Sequence, residues 1–317
     1  MSLVIASQLE PEFNEALAQL PFGLQIIPVP EGQPWVAAEQ ADVLIVRPGA
    51  DWRAARDLPK PEHLWPGRLR WVLSASAGID FYPSWLLDAP LVTCGRGTAS
   101  DEIADYVIAA IYLRAKDLDN VRVRSAVEWR YQPLGRVIGS TVGIIGLGAI
   151  GQEVAKRAHA LGAHVVAVRR GSAGAVTPEG VRLLDSVEEV VAQADHIVIA
   201  VPATPQTRHL FNAELFAKVK EGAHLINIAR GSVVDQDALI AALDRGRLDF
   251  ATLDVTEPEP LPEGHPLYTH PRVRLTPHIS SNYTVVRHRL LEKVTQDITL
   301  FAQGQIPSDV VDPARGY

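Results

Sequence analysis

The glycine pattern Gly146-Leu-Gly148-Ala-Ile-Gly151 is the feature that most constrains how this chain can fold. An apolar, strand-like run precedes it, and a helical pattern with apolar residues on one face follows it. In that context the glycines allow a tight turn, close approach of the backbone to a pyrophosphate, and close packing of helix on strand. An isolated pattern of this kind also fits a plain tight turn, but the context favours a dinucleotide-binding unit. The candidate cofactor-binding residues of this segment are Gly146, Gly148, Ala149, Ile150 and Gly151.

Short β-branched runs alternate with helical patterns along the chain, which is typical of α/β folds with parallel sheets. The runs form two sets. The second set surrounds the glycine pattern and predicts a doubly wound sheet, whereas the first predicts a smaller α/β unit. The first set lies at 3–6, 24–29, 43–47, 71–75 and 91–94, and the second at 141–146, 164–169, 196–201, 223–229, 250–255 and 272–276.

Two long helical patterns flank the second set of strands. One runs from 100 to 124 and the other from about 282 to 303. Because too few residues follow the last strand to form a separate module, we expect the final helix to complete the first unit. The predicted boundaries are 1–98 with 284–317 for a discontinuous domain and 99–283 for the dinucleotide-binding domain.

Arg169 and Arg170 follow the second strand of the dinucleotide-binding unit. They stand close to the offset of about 20 residues at which an acid usually binds the ribose hydroxyls of NAD. No acid is present there, and an arginine can pair with phosphate oxygens and stack on adenine. We therefore predict that Arg169, Arg170 and Ser172 bind a 2′-phosphate, so that NADP(H) is preferred and NAD(H) remains possible. The alternative is that both arginines are merely solvated.

Composition excludes several classes of protein. A net charge of −7 leaves no broad basic face for nucleic acid. The longest apolar runs, such as 106–113, are far shorter than the ~20 residues that span a bilayer, and the N-terminus lacks the basic region of a signal peptide. Cys94 is the single cysteine, and the histidines do not show zinc-motif spacing. We expect a cytoplasmic protein without membrane, nucleic-acid or metal binding.

Three further segments, "NIARGSVVDQDALIAALDRG", "LDVTEPEPLP" and "TPHIS", resemble motifs of the D-isomer-specific 2-hydroxyacid dehydrogenases. The resemblance runs from about residue 40 to 280. It implies a Rossmann domain beside a discontinuous, flavodoxin-like substrate-binding domain, and it implies that Arg230, Glu259 and His278 are catalytic. The expected enzyme reduces a small 2-oxo acid with NADPH, as glyoxylate and hydroxypyruvate reductases do. A phosphoglycerate dehydrogenase-like enzyme and a non-catalytic NAD(P)-sensing corepressor-like protein are the alternatives.

The chemistry of a hydride transfer to a ketone explains these three residue types. The developing alkoxide needs a proton, which a histidine such as His278 is suited to deliver. A carboxylate at Glu259 favours the protonated form of its histidine partner. Arg230 can bind the carboxylate and carbonyl oxygens of the substrate. Each residue taken alone has an ordinary structural interpretation, but all three follow strands whose carboxyl ends form the ligand edge of such a sheet.

Other candidate site residues lie at or after strand ends. The segment 74–80 can hold a carboxylate on its backbone N–H groups, or it can be an ordinary turn. Arg47 can reach a substrate anion or form a salt bridge. The substrate-binding candidates are Ser76, Ala77 and Gly78, together with Arg230 and His278; the further cofactor-binding candidates are Val201, Pro202, Thr207, Ile228, Ala229, Asp254 and Ser280.

Two features bear on details of the site and on assembly. Many family members carry a Glu-His pair where this chain has Asp105-Tyr106, and a glycine often occupies the position of Ser280. The arm at 126–139 carries Trp129 and Tyr131 in a stretch that neither sheet needs, and relatives pair two chains through this region. We therefore expect a two-fold homodimer. Trp129 can either contact the partner's active site or be buried in the interface.

Overall fold

A computed structural model describes residues 2–30, 32–118, 120–171 and 177–315. The chain divides into two compact units, Met1–Thr98 with Tyr283–Tyr317, and Ala99–Asn282. We call them the discontinuous unit and the continuous unit. That the discontinuous unit binds the substrate stays a prediction.

Strands and helices alternate through most of the chain. The strands are β1 (Val4–Ser7), β2 (Gln25–Pro28), β3 (Val43–Val46), β4 (Trp71–Ser74), β5 (Val92–Cys94), β6 (Thr141–Ile145), β7 (His164–Val168), β8 (Val181–Leu183), β9 (His196–Ile199), β10 (Ala223–Asn227), β11 (Leu248–Leu253) and β12 (Val273–Leu275). The helices are α1 (Pro11–Ala18), α2 (Ala50–Ala55), α3 (Ser100–Lys116), α4 (Ala149–Ala160), α5 (Val187–Val191), α6 (Ala213–Lys218), α7 (Gln236–Asp244) and α8 (Tyr283–Ala302).

The discontinuous unit is built on a five-stranded sheet in the order β2-β1-β3-β4-β5. Its strand pairs are parallel, and this order is that of flavodoxin-like folds. The runs of β3 and β4 are buried throughout, as expected of parallel strands covered on both faces. On one face, apolar residues of α8 at four-residue spacing (Leu290, Val294 and Ile298) pack with Ile5 and Val43.

The continuous unit is built on a seven-stranded parallel sheet in the order β12-β11-β10-β9-β6-β7-β8. From the central strand β6, the chain first adds β7 and β8 on one side. It then crosses back and adds β9 to β12 on the other side. This is the doubly wound Rossmann arrangement, so the predicted fold class is confirmed. Ligands of such sheets bind outside the carboxyl ends of the strands, where the strand order reverses.

The helix predicted over 100–124 is shorter in the structure. α3 ends at Lys116, and the next residue, Asp117, adopts the left-handed conformation with φ 45°. Beyond it, Leu118 and Val123 are 51% and 42% exposed. Continuation of the helix would therefore bury little apolar surface, and helices in proteins depend mainly on such burial.

Strand β8 was not predicted. It has three residues and pairs only with β7, at the edge of the sheet. Its residues are half-buried or exposed, so it lacks the continuous apolar run that marks the inner strands. Among the described residues, no helix combines the length and the apolar character that crossing a membrane requires.

Candidate active site

The three glycines of the turn between β6 and α4 face different surroundings. Gly146 has φ +101°, and a Cβ there would lie 2.5 Å from the carbonyl oxygen of Ala200. A Cβ on Gly151 would collide with the carbonyl oxygen of Gly146. A Cβ on Gly148 would meet nothing within 4 Å. Two glycines are thus required by the fold, and the third borders open space.

This turn fits a bound dinucleotide. Gly148 is the N-cap of α4 and has no side chain with which to cap the helix. The first amides of an α-helix have no partner within the helix, and the helix dipole favours an anion there. Open space beside such amides, which begin at Ala149 and Ile150, is suited to a pyrophosphate.

The two arginines lie at the same edge of the sheet as the glycine turn. β7 pairs with β6, the Gly146 amide donates to the Val168 carbonyl oxygen at 3.0 Å, and Arg169 follows directly. Arg169 is half-buried, with Nη2 3.3 Å from Thr177 Oγ1, and Arg170 is exposed. Ser172, the third predicted member of this pocket, lies outside the described residues.

The segment after β9 is held together by Thr207. This residue is buried, and its hydroxyl donates to the Pro202 carbonyl oxygen at 2.7 Å and accepts from the Thr204 amide at 2.9 Å. Its hydroxyl therefore shapes the segment that carries Val201 and Pro202. Contact of Thr207 with a cofactor stays a prediction.

The segment that carries Arg230 is shaped by Asn227, which we did not predict. Asn227 is buried at the end of β10, its Nδ2 donates to the Arg230 carbonyl oxygen at 3.0 Å, and its Oδ1 accepts from the Ala229 amide at 3.1 Å. Ile228 and Ala229 are buried as well. A polar residue directly after the apolar pair Leu225-Ile226 of β10 was the sequence signal that could have indicated this role.

Gly231 brings the segment that carries Arg230 against the segment that carries Glu259. A Cβ on Gly231 would collide with the carbonyl group of Thr256, so the two backbones are in direct contact there. Gln236, also not predicted, fixes the same segment because its Nε2 donates to the Glu257 carbonyl oxygen at 2.7 Å and its Oε1 accepts from the Glu257 amide at 3.2 Å.

Glu259 and His278 form a pair. Glu259 Oε2 lies 2.9 Å from His278 Nδ1, and both side chains remain partly exposed, at 39% and 38%. Burial acts to raise the pKa of Glu259, but the hydrogen bond and charge of His278 outweigh it and lower the pKa below its ordinary value. The Thr256 amide and the charge of Arg230 add to this lowering. Arg230, Glu259 and His278 thus share one electrostatic environment.

Asp254 holds the turn around His278. Its carboxylate is buried and accepts from the Ile279 and Ser280 amides, each at 2.8 Å. Its backbone carbonyl oxygen accepts from the His278 amide at 2.9 Å. His278 itself has φ +54°, a left-handed conformation. Asp254 and Ser280 were predicted to bind cofactor; the structure gives them these contacts within the turn, and cofactor contact stays a prediction.

In the discontinuous unit, hydroxyl groups shape the 74–80 segment. Ser76 Oγ donates to the Gly78 carbonyl oxygen at 2.7 Å and lies 3.0 Å from Ser74 Oγ. Ser76 and Gly78 are half-buried and Ala77 is exposed. Within the described ranges, no hydrogen-bond acceptor contacts the amides of Ala77 and Gly78, so these amides are available to an anion.

Arg47 forms a salt bridge, which is one of the two roles that its sequence position allows. Its guanidinium pairs with Glu10 and lies 4.2 Å from the centroid of the Tyr283 ring. The Tyr283 hydroxyl donates to the same Glu10 carboxylate at 2.5 Å. The part of the chain that the structure describes contains no group of three or more His, Cys, Asp or Glu side chains placed to hold an ion.

The doubly wound sheet and the Gly146–Gly151 turn define a dinucleotide-binding protein, and comparison with known proteins gives its family. Residues 108–280 match the D-isomer specific 2-hydroxyacid dehydrogenase, NAD binding domain. Glyoxylate/hydroxypyruvate reductase A of Serratia proteamaculans is 32% identical over 298 residues, which are 88% of this chain and 92% of that protein. The D-3-phosphoglycerate dehydrogenase of Methanocaldococcus jannaschii is 31% identical over 86% of this chain but only 52% of its own length.

Solved structures agree with this family. A D-isomer specific 2-hydroxyacid dehydrogenase from Xanthobacter autotrophicus Py2, in complex with NADPH and MES, matches with a TM-score of 0.83 and 28% identity over 100% of both chains. An NADPH-dependent glyoxylate/hydroxypyruvate reductase from Sinorhizobium meliloti, in complex with NADP and sulfate, matches with a TM-score of 0.79 and 26% identity, again over 100% of both chains. The chain belongs to the D-isomer specific 2-hydroxyacid dehydrogenase family, whose members are NAD(P)-dependent oxidoreductases.

Proposed function

We propose that this chain reduces a small 2-oxo acid, of the glyoxylate or hydroxypyruvate type, to the D-2-hydroxy acid with NADPH. The observation that carries this proposal is the Glu259–His278 pair, 2.9 Å from Oε2 to Nδ1, within the electrostatic reach of Arg230. The similarity to glyoxylate/hydroxypyruvate reductases supports the substrate class.

His278 is the proposed proton donor. Its Nδ1 is engaged by Glu259, and within the described ranges its Nε2 has no hydrogen-bond partner. Nε2 is therefore the atom that can give a proton to the carbonyl oxygen of a substrate. The ionised Glu259 stabilises the protonated imidazole before transfer and fixes the orientation of the ring.

Arg230 and the 76–78 segment are the proposed anion-binding groups. The guanidinium of Arg230 can hold the substrate carboxylate and stabilise the negative charge that develops on the carbonyl oxygen. The amides of Ala77 and Gly78 can bind a carboxylate as a backbone nest. Both roles depend on donors held in a fixed position, and that of Arg230 depends on its positive charge as well.

The glycine turn is the proposed pyrophosphate site, through Gly146, Gly148 and the first amides of α4. When bound, the reduced nicotinamide supplies the hydride. Arg169 and Arg170 support a preference for NADPH, because a guanidinium can pair with a 2′-phosphate and neither position carries the acid that favours NAD. The two solved structures described above, which hold NADPH and NADP, support the same preference.

We further propose that the protein forms a homodimer through the 126–139 arm. Val127, Trp129 and Tyr131 are 94%, 82% and 93% exposed in the single chain. Exposed apolar side chains that lie together mark interaction surfaces. A second copy of the chain would cover them.

Activity assays test the proposed reaction. Glyoxylate, hydroxypyruvate and pyruvate should each be tried with NADPH and NADH, followed by absorbance of the reduced nicotinamide. His278→Ala should lose about 10²-fold or more in turnover, as removal of a general acid does, and should still bind NADPH. His288→Ala, an exposed histidine on α8, is the matched control.

The outcome also separates the two alternatives. The D-3-phosphoglycerate dehydrogenase among the relatives favours 3-phosphoglycerate as an alternative substrate. Oxidation of that compound with no reduction of any 2-oxo acid tested would replace our proposal with this one. Binding of NADPH with no turnover of either kind would indicate a nucleotide sensor.

A further inference from the structure

The hydroxyl of Tyr106 ends a chain of hydrogen bonds that leads to the His278 turn. Tyr106 lies on α3, and its Oη is 2.7 Å from Oγ1 of Thr276. Thr276 Oγ1 is in turn 2.7 Å from Oδ1 of Asp254. Neither Tyr106 nor Thr276 belongs to the catalytic set proposed above.

The direction of this chain follows from the number of protons available. A carboxylate that accepts two amides acts as an acceptor only, so the single hydroxyl proton of Thr276 goes to Asp254. Thr276 then offers only lone pairs to Tyr106, and the phenol must be the donor. Burial raises the pKa of Tyr106 and outweighs the lowering by the Thr276 hydrogen bond, and the charge of Asp254 adds a smaller rise. The phenol therefore keeps the proton that this direction requires.

At the other end of these hydrogen bonds lies a turn whose backbone conformation needs support. His278 has φ +54°, and a left-handed conformation is unfavourable for a residue other than glycine. Such a conformation persists only where its surroundings fix it. Here the fixing contacts are the Asp254 carboxylate on the amides of Ile279 and Ser280, directly after the histidine.

We propose that Tyr106 is a positioning residue: by donating to Thr276 it orients the threonine proton onto Asp254, which sets the turn that presents His278 Nε2. Without the phenol hydroxyl, Thr276 can rotate its proton away from the carboxylate. The amides of Ile279 and Ser280 would then be held less firmly, and His278 would spend less time in its reactive orientation. This inference rests on the proposed role of His278 as the proton donor.

Kinetics of four variants test the inference. Tyr106→Phe removes one oxygen, Thr276→Val removes the middle hydroxyl, and Thr276→Ser keeps it. Tyr112→Phe is the matched control, because this half-buried tyrosine lies on the same helix and its hydroxyl contacts no hydrogen-bonding group of the described residues. Loss of one neutral hydrogen bond predicts a fall in kcat of roughly two- to tenfold for Tyr106→Phe, with KM for the 2-oxo acid unchanged. Thr276→Ser should keep kcat within about twofold of the parent, well above Thr276→Val.

A double variant distinguishes positioning from general loss of structure. If both hydroxyls act through one chain, Tyr106→Phe combined with Thr276→Val should be no slower than Thr276→Val alone. Multiplicative losses in the double variant, or a Tyr106→Phe enzyme as fast as the Tyr112→Phe control, would overturn the inference while leaving the proposed function intact.

A measurement that needs no turnover completes the test. The backbone amide resonances of Ile279 and Ser280 should shift in Tyr106→Phe and stay in place in Tyr112→Phe, since only the first variant alters the Asp254 chain. If the parent reduces no 2-oxo acid, the proposed function fails, and these resonances still report on the hydrogen-bond chain. Unchanged resonances in Tyr106→Phe would overturn the inference whatever the activity.

Discussion

His196 and His224 face each other on neighbouring strands with their Nδ1 atoms 3.3 Å apart. They pair in register on β9 and β10, at the amino end of these strands, and both are buried. Nε2 of His224 lies 2.9 Å from the Thr252 hydroxyl. At most one of two facing Nδ1 atoms can carry a proton in this contact, so the two imidazoles cannot both be protonated while it persists.

This pair predicts a loss of stability in acid. Burial lowers the pKa of His196 from 6.5 to about 4, and burial together with the charge of its partner lowers the pKa of His224. Between pH 6.5 and 4 the unfolded chain therefore binds protons that the folded chain does not. The free energy of unfolding therefore decreases as the pH is lowered through this range. Each histidine contributes at most about 1.4 kcal/mol per pH unit. Urea unfolding across this pH range measures the slope.

A pair of variants isolates the contribution of these histidines from that of the carboxylates. The double substitution His196→Gln and His224→Gln should flatten the slope between pH 6.5 and 4. The exposed His63→Gln should keep the parent slope. If the double variant is as acid-sensitive as the parent, the histidine pair is not the cause.

The Glu259–His278 pair predicts a change in the pH profile of reduction. The lowered pKa of Glu259 keeps its carboxylate ionised, and this charge stabilises the protonated imidazole. Glu259→Gln removes this charge and keeps a side chain of similar size, so turnover should fall, and the loss relative to the parent should be larger at pH 8 than at pH 6.

The matched control for this profile is Glu257→Gln. Glu257 lies in the same segment, but its carboxylate pairs with Arg208 at 2.9 Å. Its substitution should leave the pH profile in place. Identical profiles for Glu259→Gln and the parent would mean that Glu259 does not tune the proton donor.

The arginines after β7 predict a selective effect on the phosphorylated cofactor. Replacing Arg169 and Arg170 with Ala should raise KM for NADPH far more than KM for NADH, because only NADPH carries the 2′-phosphate. Charge-assisted hydrogen bonds contribute about 1.5–3 kcal/mol each, and exposure reduces this, so a rise of about tenfold to a hundredfold per arginine is expected. Arg182→Ala, on the neighbouring strand β8, is the control. A parent enzyme that uses both cofactors equally would contradict the assignment.

The glycine turn predicts that binding and folding can be separated. Gly148→Ala should fold as stably as the parent but bind NADPH at least tenfold more weakly, because its Cβ enters open space where the pyrophosphate is proposed to lie. Gly146→Ala and Gly151→Ala should unfold at lower urea concentration, because each added Cβ meets backbone atoms. Urea unfolding and NADPH titration of the three variants measure both effects. Tight NADPH binding by Gly148→Ala would place the cofactor elsewhere.

The exposed arm predicts a dimer. Light scattering at micromolar concentration should give twice the chain mass of 34.5 kDa. Substituting Trp129 and Tyr131 together with Glu should give a folded monomer, because these side chains are 82% and 93% exposed within the chain. Ile306→Glu, at an exposed apolar residue of the discontinuous unit, should remain dimeric. A monomeric parent would end the proposal.

The inner strands could be predicted from the sequence because parallel strands buried on both faces form continuous apolar runs. β9, for example, lies at His196–Ile199 within the run predicted at 196–201. β8 has no such run, and the end of α3 depends on which residues after Lys116 find a partner to pack against. Tertiary contacts, and not local pattern, decide both.

The principal residues proposed for the site could likewise be identified, but the residues that hold them could not. Arg230, Glu259 and His278 stand in segments with recognisable composition. Asn227, Gln236 and Tyr106 act through one or two hydrogen bonds each, to the backbone or to residues that are distant in sequence, as Tyr106 does with Thr276 across 170 positions. Such a contact leaves no periodic signal along the chain.

The backbone contact at Gly231 has a consequence for how this enzyme can change over evolutionary time. The main chain of Thr256 occupies the space of any side chain at Gly231, so main-chain atoms set the spacing between the Arg230 and Glu259 segments. Side chains elsewhere in these segments can then vary without moving Arg230 relative to Glu259. Because main-chain atoms set this spacing, substitutions of the surrounding side chains leave it in place. Such substitutions can change substrate preference while the reaction itself is retained.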